Sequence, residues 1–386
     1  MVLQGQTSLL YPPLDATTYV GLPFDLLAHR LLPGFPASLP AMFMYAPPVA
    51  LFCVPFALAA PGIAMLAWQL ACLVSLLTCA VWLARLSSLP ADGAANAAEP
   101  KSLWLSVFLA SFSFAPVAAT IWIGQSGLLF ATLPLTAGAC LLLTGRSFWA
   151  GLCLSFIYLK PQVLPVAFLI AFALSCCRNF VCGIGLVVGL LALVGFSIVS
   201  SGLDVFARWL HSLSVSETLL SSAAVRSPLY LIAGLPGGLV SQLPAELRLN
   251  AKWLVYGIGA VLALLVAAVL VRLAKSAASP RLKTLLIVIV AVASLPIYSP
   301  RLLLYDLCVF LPAAVLIYVV APLELAPLKR WADWVWMLVN VYVALVIAGG
   351  EAINPLLLDL GILALQIPLW RIVCRMAPLK PPALST

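Results

Sequence analysis

The stretch Phe180–Val199 runs for 20 residues without a single charge, and similar stretches recur along the whole chain. About 20 apolar residues, wound as a helix, cross the ~30 Å hydrocarbon core of a bilayer. Only helices or closed barrels satisfy every backbone group there. Runs this long and continuous lack the alternation of a barrel strand, so the spans read as helices. Candidate spans are Pro48–Leu83, Leu103–Ile123, Leu128–Leu143, Phe180–Val199, Leu254–Val271, Leu285–Ile297, Leu307–Ala321, Trp334–Ala348 and Leu356–Trp370. Trp149–Ser175 reads as two shorter helices meeting at Lys160-Pro161. Composition agrees: 64% of the 386 residues are hydrophobic, 8% are charged and the mean hydropathy is +1.16, leaving too little polar surface for a soluble fold. The expectation is an all-α, polytopic transmembrane bundle of about 9–11 membrane helices, short broken ones included.

Residues 1–46 are not a span: Pro12, Pro13, Pro23, Pro33, Pro36 and Pro40 preclude a long helix. They read as an external, interfacial segment with a short helix near Asp25–Leu32. The membrane domain then covers 47–375, and 376–386 is a cytoplasmic tail. The linker 87–101 is small and polar. Residues 202–250 form the longest extramembrane stretch, with Tyr230–Val240 apolar but too short to span. The G-x-x-x-G spacing at Gly185 and Gly189 points to close helix packing.

The net charge of +8 does not signal nucleic-acid binding, since the basic residues are not clustered with stacking aromatics. They punctuate span ends instead. Arg85, Lys101, Arg146, Arg178, Arg272, Lys275, Arg281, Lys283, Lys329, Arg330, Arg371, Arg375 and Lys380 can share one side, which the positive-inside rule makes cytoplasmic. The ten cysteines include no C-x-x-C pair and the only histidines are His29 and His211, so neither metal nor cofactor is expected. The cysteines read as small apolar packing residues.

Lys160 breaks this pattern. It is the only charged residue between Phe148 and Cys177, in the stretch SFIYLKPQVLPV. A lysine at bilayer depth costs roughly 2.5–3.5 kcal/mol on insertion scales, so such residues commonly mark a site. Three more polar clusters sit beside a proline or glycine on the predicted non-cytoplasmic side: FMYAPP (43–48), IGQSG (123–127) and YSPRLLLYD (298–306). Broken helix ends of this kind line ligand sites in membranes. Each cluster also has a plainer reading. Tyr45 can anchor at the interface, Gln125 can cap a helix or bond across helices, Lys160 can snorkel to the headgroups, and Asp306 can pair with Arg301 to close a hairpin.

In order and wording these clusters resemble glycosyltransferase family 87, of the GT-C class of polyprenol-phosphate-dependent membrane enzymes. The matching elements are Tyr45-Ala46-Pro47-Pro48 (with an alanine inserted), Gly124-Gln125, Lys160-Pro161, and Ser299-Pro300 with Tyr305-Asp306. The resemblance implies a GT-C-like bundle in a membrane, expected to be the bacterial inner membrane, with its site facing the periplasm or exterior. It implies inverting, metal-independent transfer of a hexose, mannose-like, from a polyprenyl-phosphate donor to a lipid or glycan acceptor. On this reading Tyr45, Gln125, Lys160, Gln162, Arg226, Arg301, Tyr305 and Asp306 bind substrate, and Lys160 points into a wet, amphipathic cavity to meet the donor's phosphate. A leaving phosphate needs cations or amide donors, and an acceptor hydroxyl needs a carboxylate in reach.

Two departures from the family pattern stand out. Arg301 follows the Ser-Pro pair where the family often has a histidine. Family members also begin with a membrane helix and an acidic residue in the first external loop, whereas here GQTSLLYPP opens the chain. That leaves Asp15 as the candidate base and an inactive, truncated paralogue as one alternative. A lipid or solute transporter or flippase is another, although it predicts related halves and none are visible.

Overall fold

The computed structural model describes residues 1–2, 5–32, 40–87, 103–220, 234–241, 243–244, 252–299, 302–319, 326–349 and 356–376. Among these, 83% are helical, in 18 helices with no strand, so the chain is the all-α bundle the apolar runs imply.

Proline placement explains where the helices stop. After α1 (Pro23–Leu31), the run expected to be one span at Pro48–Leu83 divides into α2 (Pro47–Phe52), α3 (Val54–Ala57) and α4 (Pro61–Ser87), each with proline in its first turn. The run at 103–123 also breaks, into α5 (Leu103–Phe112) and α6 (Ala115–Ile123), bent by 73° just before Pro116. After a π turn at Leu128–Thr132 comes α7 (Leu133–Leu143), then α8 (Ser147–Ser155) and α9 (Leu164–Cys176). The join between α8 and α9 is the predicted break at Lys160-Pro161. Next are α10 (Val181–Ser201), α11 (Leu203–Leu220), α12 (Leu235–Ser241), α13 (Lys252–Ala274), α14 (Pro280–Ala293) and α15 (Leu295–Tyr298). The chain ends on α16 (Phe310–Val319), α17 (Ala326–Gly349) and α18 (Leu356–Met376).

Four of these helices (α4, α10, α13 and α18) are long and apolar enough to cross a membrane, and the bent α5–α6 pair makes a fifth. The remaining apolar segments of 10–17 residues are shorter than a bilayer because prolines or turns interrupt them. Large apolar side chains stay exposed along α4, α10 and α13, as lipid-facing surfaces require. The central element is α14. From Leu285 to Ala293 every side chain is buried, because α7, α9, α13, α16 and α18 pack around it. A helix apolar on every face has no other place in a fold.

Close helix packing rests on glycine. A Cβ at Gly185 of α10 would stand 2.2 Å from the Phe148 carbonyl oxygen of α8, and one at Gly151 would stand 2.1 Å from that of Cys182. Gly189 meets Ser155 in the same groove. The small-residue spacing therefore marks a real crossing, between α8 and α10.

Two parts hold order that the sequence does not signal. The described part of the 230–240 run, α12, is packed into the bundle. It packs against α13, α15 and α18, where Gly234 and Gly238 let its backbone approach Ser299 and Asp359. The described part of the N-terminal segment holds its expected short helix, at Pro23–Leu31, and forms a folded cap seated on α11. Tyr19 donates to the Ser212 carbonyl (3.0 Å), His211 Nε2 lies 2.9 Å from the Ala16 carbonyl, and Trp209 donates to the Met44 carbonyl (3.1 Å). Burial pushes the Tyr19 phenol up to about 12, so it keeps its proton and this bond at physiological pH. Inside the cap, Asp25 accepts from the Gly21 and Ala41 amides (2.9 and 2.7 Å) and pairs with His29 (3.3 Å).

The glycine crossing makes a direct test. Gly185→Ala forces backbone apart and is expected to destabilise by about 1–3 kcal/mol. Gly195→Ala, on the same helix with nothing within 4 Å, should be neutral or stabilise by ~0.5–1 kcal/mol through helix propensity. Thermal unfolding in detergent reads both; equal effects would contradict the packing described.

Candidate functional site

Lys160 owes its position to the proline after it. A residue before proline is driven out of the helical region, and Lys160 adopts φ −130°, ψ 77°. The 3-10 turn Phe156–Leu159 ends there and a second, Pro161–Val163, begins. The break turns the side chain inward: Lys160 is 1% exposed and its Nζ lies 2.7 Å from Asp306 Oδ1.

Asp306 sits in the 3-10 turn Leu304–Val309 that leads into α16. Its other oxygen, Oδ2, accepts from the Leu303 amide (3.0 Å) and from Gln162 Nε2 (3.3 Å). The carboxylate is thus bound by one cation and two N–H donors, and it holds Lys160 in one place. The ammonium also lies 5.3 Å from the centre of the Tyr305 ring, at cation–π range.

A second polar pair stands beside this one. Gly124 ends α6 with φ 71°, in the left-handed region. The Gly124 and Gln125 amides close a Schellman turn onto the Ile121 and Thr120 carbonyls (3.2 and 2.8 Å). This aims Gln125 at the N-terminal cap, and its Oε1 accepts from Tyr45 (2.9 Å). Tyr45 is held in turn, since Tyr11 donates to its carbonyl (2.8 Å) and Phe43 packs edge-on to its ring.

The two pairs meet through Gly127. A Cβ there would lie 2.8 Å from Cys308 Sγ and 3.8 Å from Lys160 Cε, so only glycine lets the turn lie against the ion pair. Thr120 ties the same region down by donating to the Tyr305 carbonyl (3.0 Å).

The structure therefore brings Tyr45, Gln125, Lys160, Gln162, Tyr305 and Asp306 into one cluster. It corrects the plainer readings of several. Lys160 does not snorkel; it is buried, and its charge is met inside the protein by Asp306. Among the described residues Asp306 takes its cation from Lys160, 146 positions earlier in the chain. Tyr45 is bonded to Gln125, which makes it more than an interfacial anchor. Arg226 and Arg301 lie outside the described residues. Asp15 is exposed in the cap and has no hydrogen bond among the described residues. Thr120 and Cys308 were not legible as site residues, because a lone threonine or cysteine in an apolar run has no distinguishing pattern. No group of three or more histidine, cysteine or acidic side chains with metal-binding geometry occurs among the described residues.

The profile of glycosyltransferase family 87 matches residues 43–300, about two thirds of the chain. That span contains Tyr45, Gln125, Lys160 and Gln162; Tyr305 and Asp306 lie just beyond it. No characterised protein and no solved structure matches the chain.

The ion pair makes a sharp prediction about stability. Lys160→Met leaves a buried, uncompensated carboxylate, which typically costs ~3–5 kcal/mol. Lys160→Met with Asp306→Leu removes both charges and should recover most of that loss. A double-mutant cycle on thermal unfolding is expected to give strong coupling. Additive losses would mean that the two groups do not depend on each other.

Proposed function

The chain belongs to glycosyltransferase family 87, and on that premise we propose that it transfers a hexose, mannose-like, from a polyprenyl-phosphate donor to a lipid or glycan acceptor at the non-cytoplasmic face of its membrane. It is an integral membrane protein and a glycosyltransferase; donor, acceptor and side are the proposal. The observation that carries it is the buried ammonium of Lys160, fixed by Asp306, whose other oxygen accepts from Gln162.

Such a group suits a departing lipid phosphate. An ammonium has three N–H donors and no acceptor. One points to Asp306, which leaves directions for an anion while the carboxylate keeps the cation in place. Held in a low-dielectric setting, the cation needs no reorganisation as charge builds on the leaving oxygen. Asp306 is a positioning residue on this reading. Its oxygens are already committed to three donors, so it is poorly placed to take a proton from the acceptor.

In the proposed step the acceptor oxygen attacks the anomeric carbon from the face opposite the phosphate. The bond from that carbon to the phosphate oxygen breaks, and the phosphate leaves with the electron pair. The acceptor proton passes to a carboxylate. Of the two acids in the cap, Asp25 is saturated by two amides and His29, whereas Asp15 carries uncommitted oxygens on the segment pinned to Tyr45 through Tyr11. Asp15 is accordingly the proposed base. Arg226 and Arg301 remain proposed phosphate contacts from the sequence alone.

The test is transfer of radiolabelled hexose from short-chain polyprenyl phosphohexoses, supplied to the outer face of right-side-out vesicles. Wild-type protein should transfer, and it should do so with chelator present. The Lys160→Met/Asp306→Leu variant, folded, should lose ~10²–10³-fold in rate. Asp15→Asn should lose ~10²-fold or more. Undiminished transfer by the double variant would remove Lys160 from the mechanism.

A further inference from the structure

Two buried hydrogen-bond donors beside the Gly124–Gly127 turn have no partner among the described residues. Ser126 is 1% exposed, and its Oγ makes no hydrogen bond to any of them. The indole Nε1 of Trp68, on α4, is likewise buried and unbonded among them. Leaving one such group unsatisfied typically costs a folded protein ~1–3 kcal/mol, so two at one place call for an explanation.

Their setting is specific. Trp68 Cδ1, the ring atom bonded to Nε1, lies 3.7 Å from where a Cβ would stand on Gly124, so the donor edge of the indole lies beside the turn that carries Ser126. The indole is walled by three phenylalanines, with ring centres 6.1 Å (Phe52), 5.2 Å (Phe56) and 6.2 Å (Phe130) away, each near edge-on. Phe130 in turn hangs from Ser126, its amide donating to the Ser126 carbonyl (2.9 Å). Phe52 is 45% exposed, so the aromatic wall is not sealed from its surroundings. At the other end of the turn, a Cβ on Gly127 would stand 3.8 Å from Lys160 Cε, so the cation-bearing chain passes beside it.

We infer that this turn and the Trp68 box form the subsite for the sugar ring of the donor, with Ser126 Oγ and Trp68 Nε1 donating to its hydroxyls. The inference rests on the proposed function and adds to it the residues that read the sugar. Two uncharged donors beside aromatic faces suit a neutral polyol, whose hydroxyl oxygens accept and whose C–H faces pack on rings. An anionic phosphate would be served poorly by them and well by Lys160. The order along the turn therefore matches the order along a polyprenyl phosphohexose: sugar at Ser126 and Trp68, phosphate at Gly127 and Lys160. A site whose buried donors are completed only by substrate also discriminates strongly against a ligand that lacks the matching hydroxyls.

The experiment compares two lipid probes on purified protein in nanodiscs: a short-chain polyprenyl phosphate, and the same lipid carrying mannose, glucose or galactose. Wild type should bind its preferred sugar-bearing lipid more tightly than the bare one. Trp68→Phe keeps the aromatic packing and Ser126→Ala the turn. Each should weaken the sugar-bearing lipid by roughly tenfold and leave the bare lipid within about twofold. Equal losses on both lipids, or no loss on either, would overturn the subsite; the second outcome would mean that water fills the donors. Wild type that binds bare and sugar-bearing lipids alike would overturn it too while sparing the proposed function. Wild type that binds none of the lipids would overturn that function itself. If Trp68→Phe fails to fold, judged by thermal unfolding, the Ser126→Ala comparison decides alone.

Discussion

Two opposite charges buried inside the helical bundle organise this protein. Neither Lys160 nor Asp306 is tolerable alone in an apolar bundle, and each solves the other's problem at 2.7 Å. The consequence is long-range: the α8–α9 break and the turn into α16 must meet, and Thr120 and Gly127 bring the end of α6 to the same place. Replacing such a pair by apolar residues of similar size is often neutral or stabilising. Its retention here is therefore better explained by what the ammonium can do than by stability.

The chain reaches that arrangement by breaking helices rather than by lengthening them. Pro55, Pro61, Pro116 and Pro161 each interrupt a run that would otherwise be one smooth span. Every interruption exposes backbone or turns a polar side chain inward, and the breaks at 113–116 and 160–161 place Gln125 and Lys160 on neighbouring elements. Glycine supplies the complementary device. Gly151 and Gly185 bring α8 and α10 into backbone contact, and Gly127 lets a turn lie directly on the lysine. The N-terminal cap adds the remaining part, since Tyr11 fixes Tyr45 and Tyr45 fixes Gln125.

Much of this was legible from residue order. Apolar runs located the helices, and a lone lysine joined to a proline located both the α8–α9 break and the charged centre. Tyr45 and Gln125 stood out because each is polar near a helix-breaking residue, and Asp306 because it is the acid of the cluster that holds Pro300. The pairing was not legible: nothing in YSPRLLLYD says whether Asp306 faces Arg301, five positions away, or a lysine 146 positions away. That choice depends on how the helices pack. The same holds for Trp68, which looks like any lipid-facing aromatic until its unbonded indole is seen beside the 124–127 turn. The bend at 113–116 was missed because apolar character continues unbroken through it, although Pro116 was in plain view. The cap was underestimated because its order comes from single bonds to α11, made by Tyr19, His211 and Trp209, that have no periodic signature.

The central claim is that Lys160, held by Asp306, is the cation that meets the donor's phosphate. A cryo-electron microscopy structure in nanodiscs loaded with a polyprenyl phosphate tests it most directly. The account predicts phosphate density at charge-assisted hydrogen-bond distance from Lys160 Nζ, about 2.7–2.9 Å, with Asp306 still in contact on the other side. Phosphate density bound elsewhere, with Lys160 engaged by Asp306 alone, would contradict it.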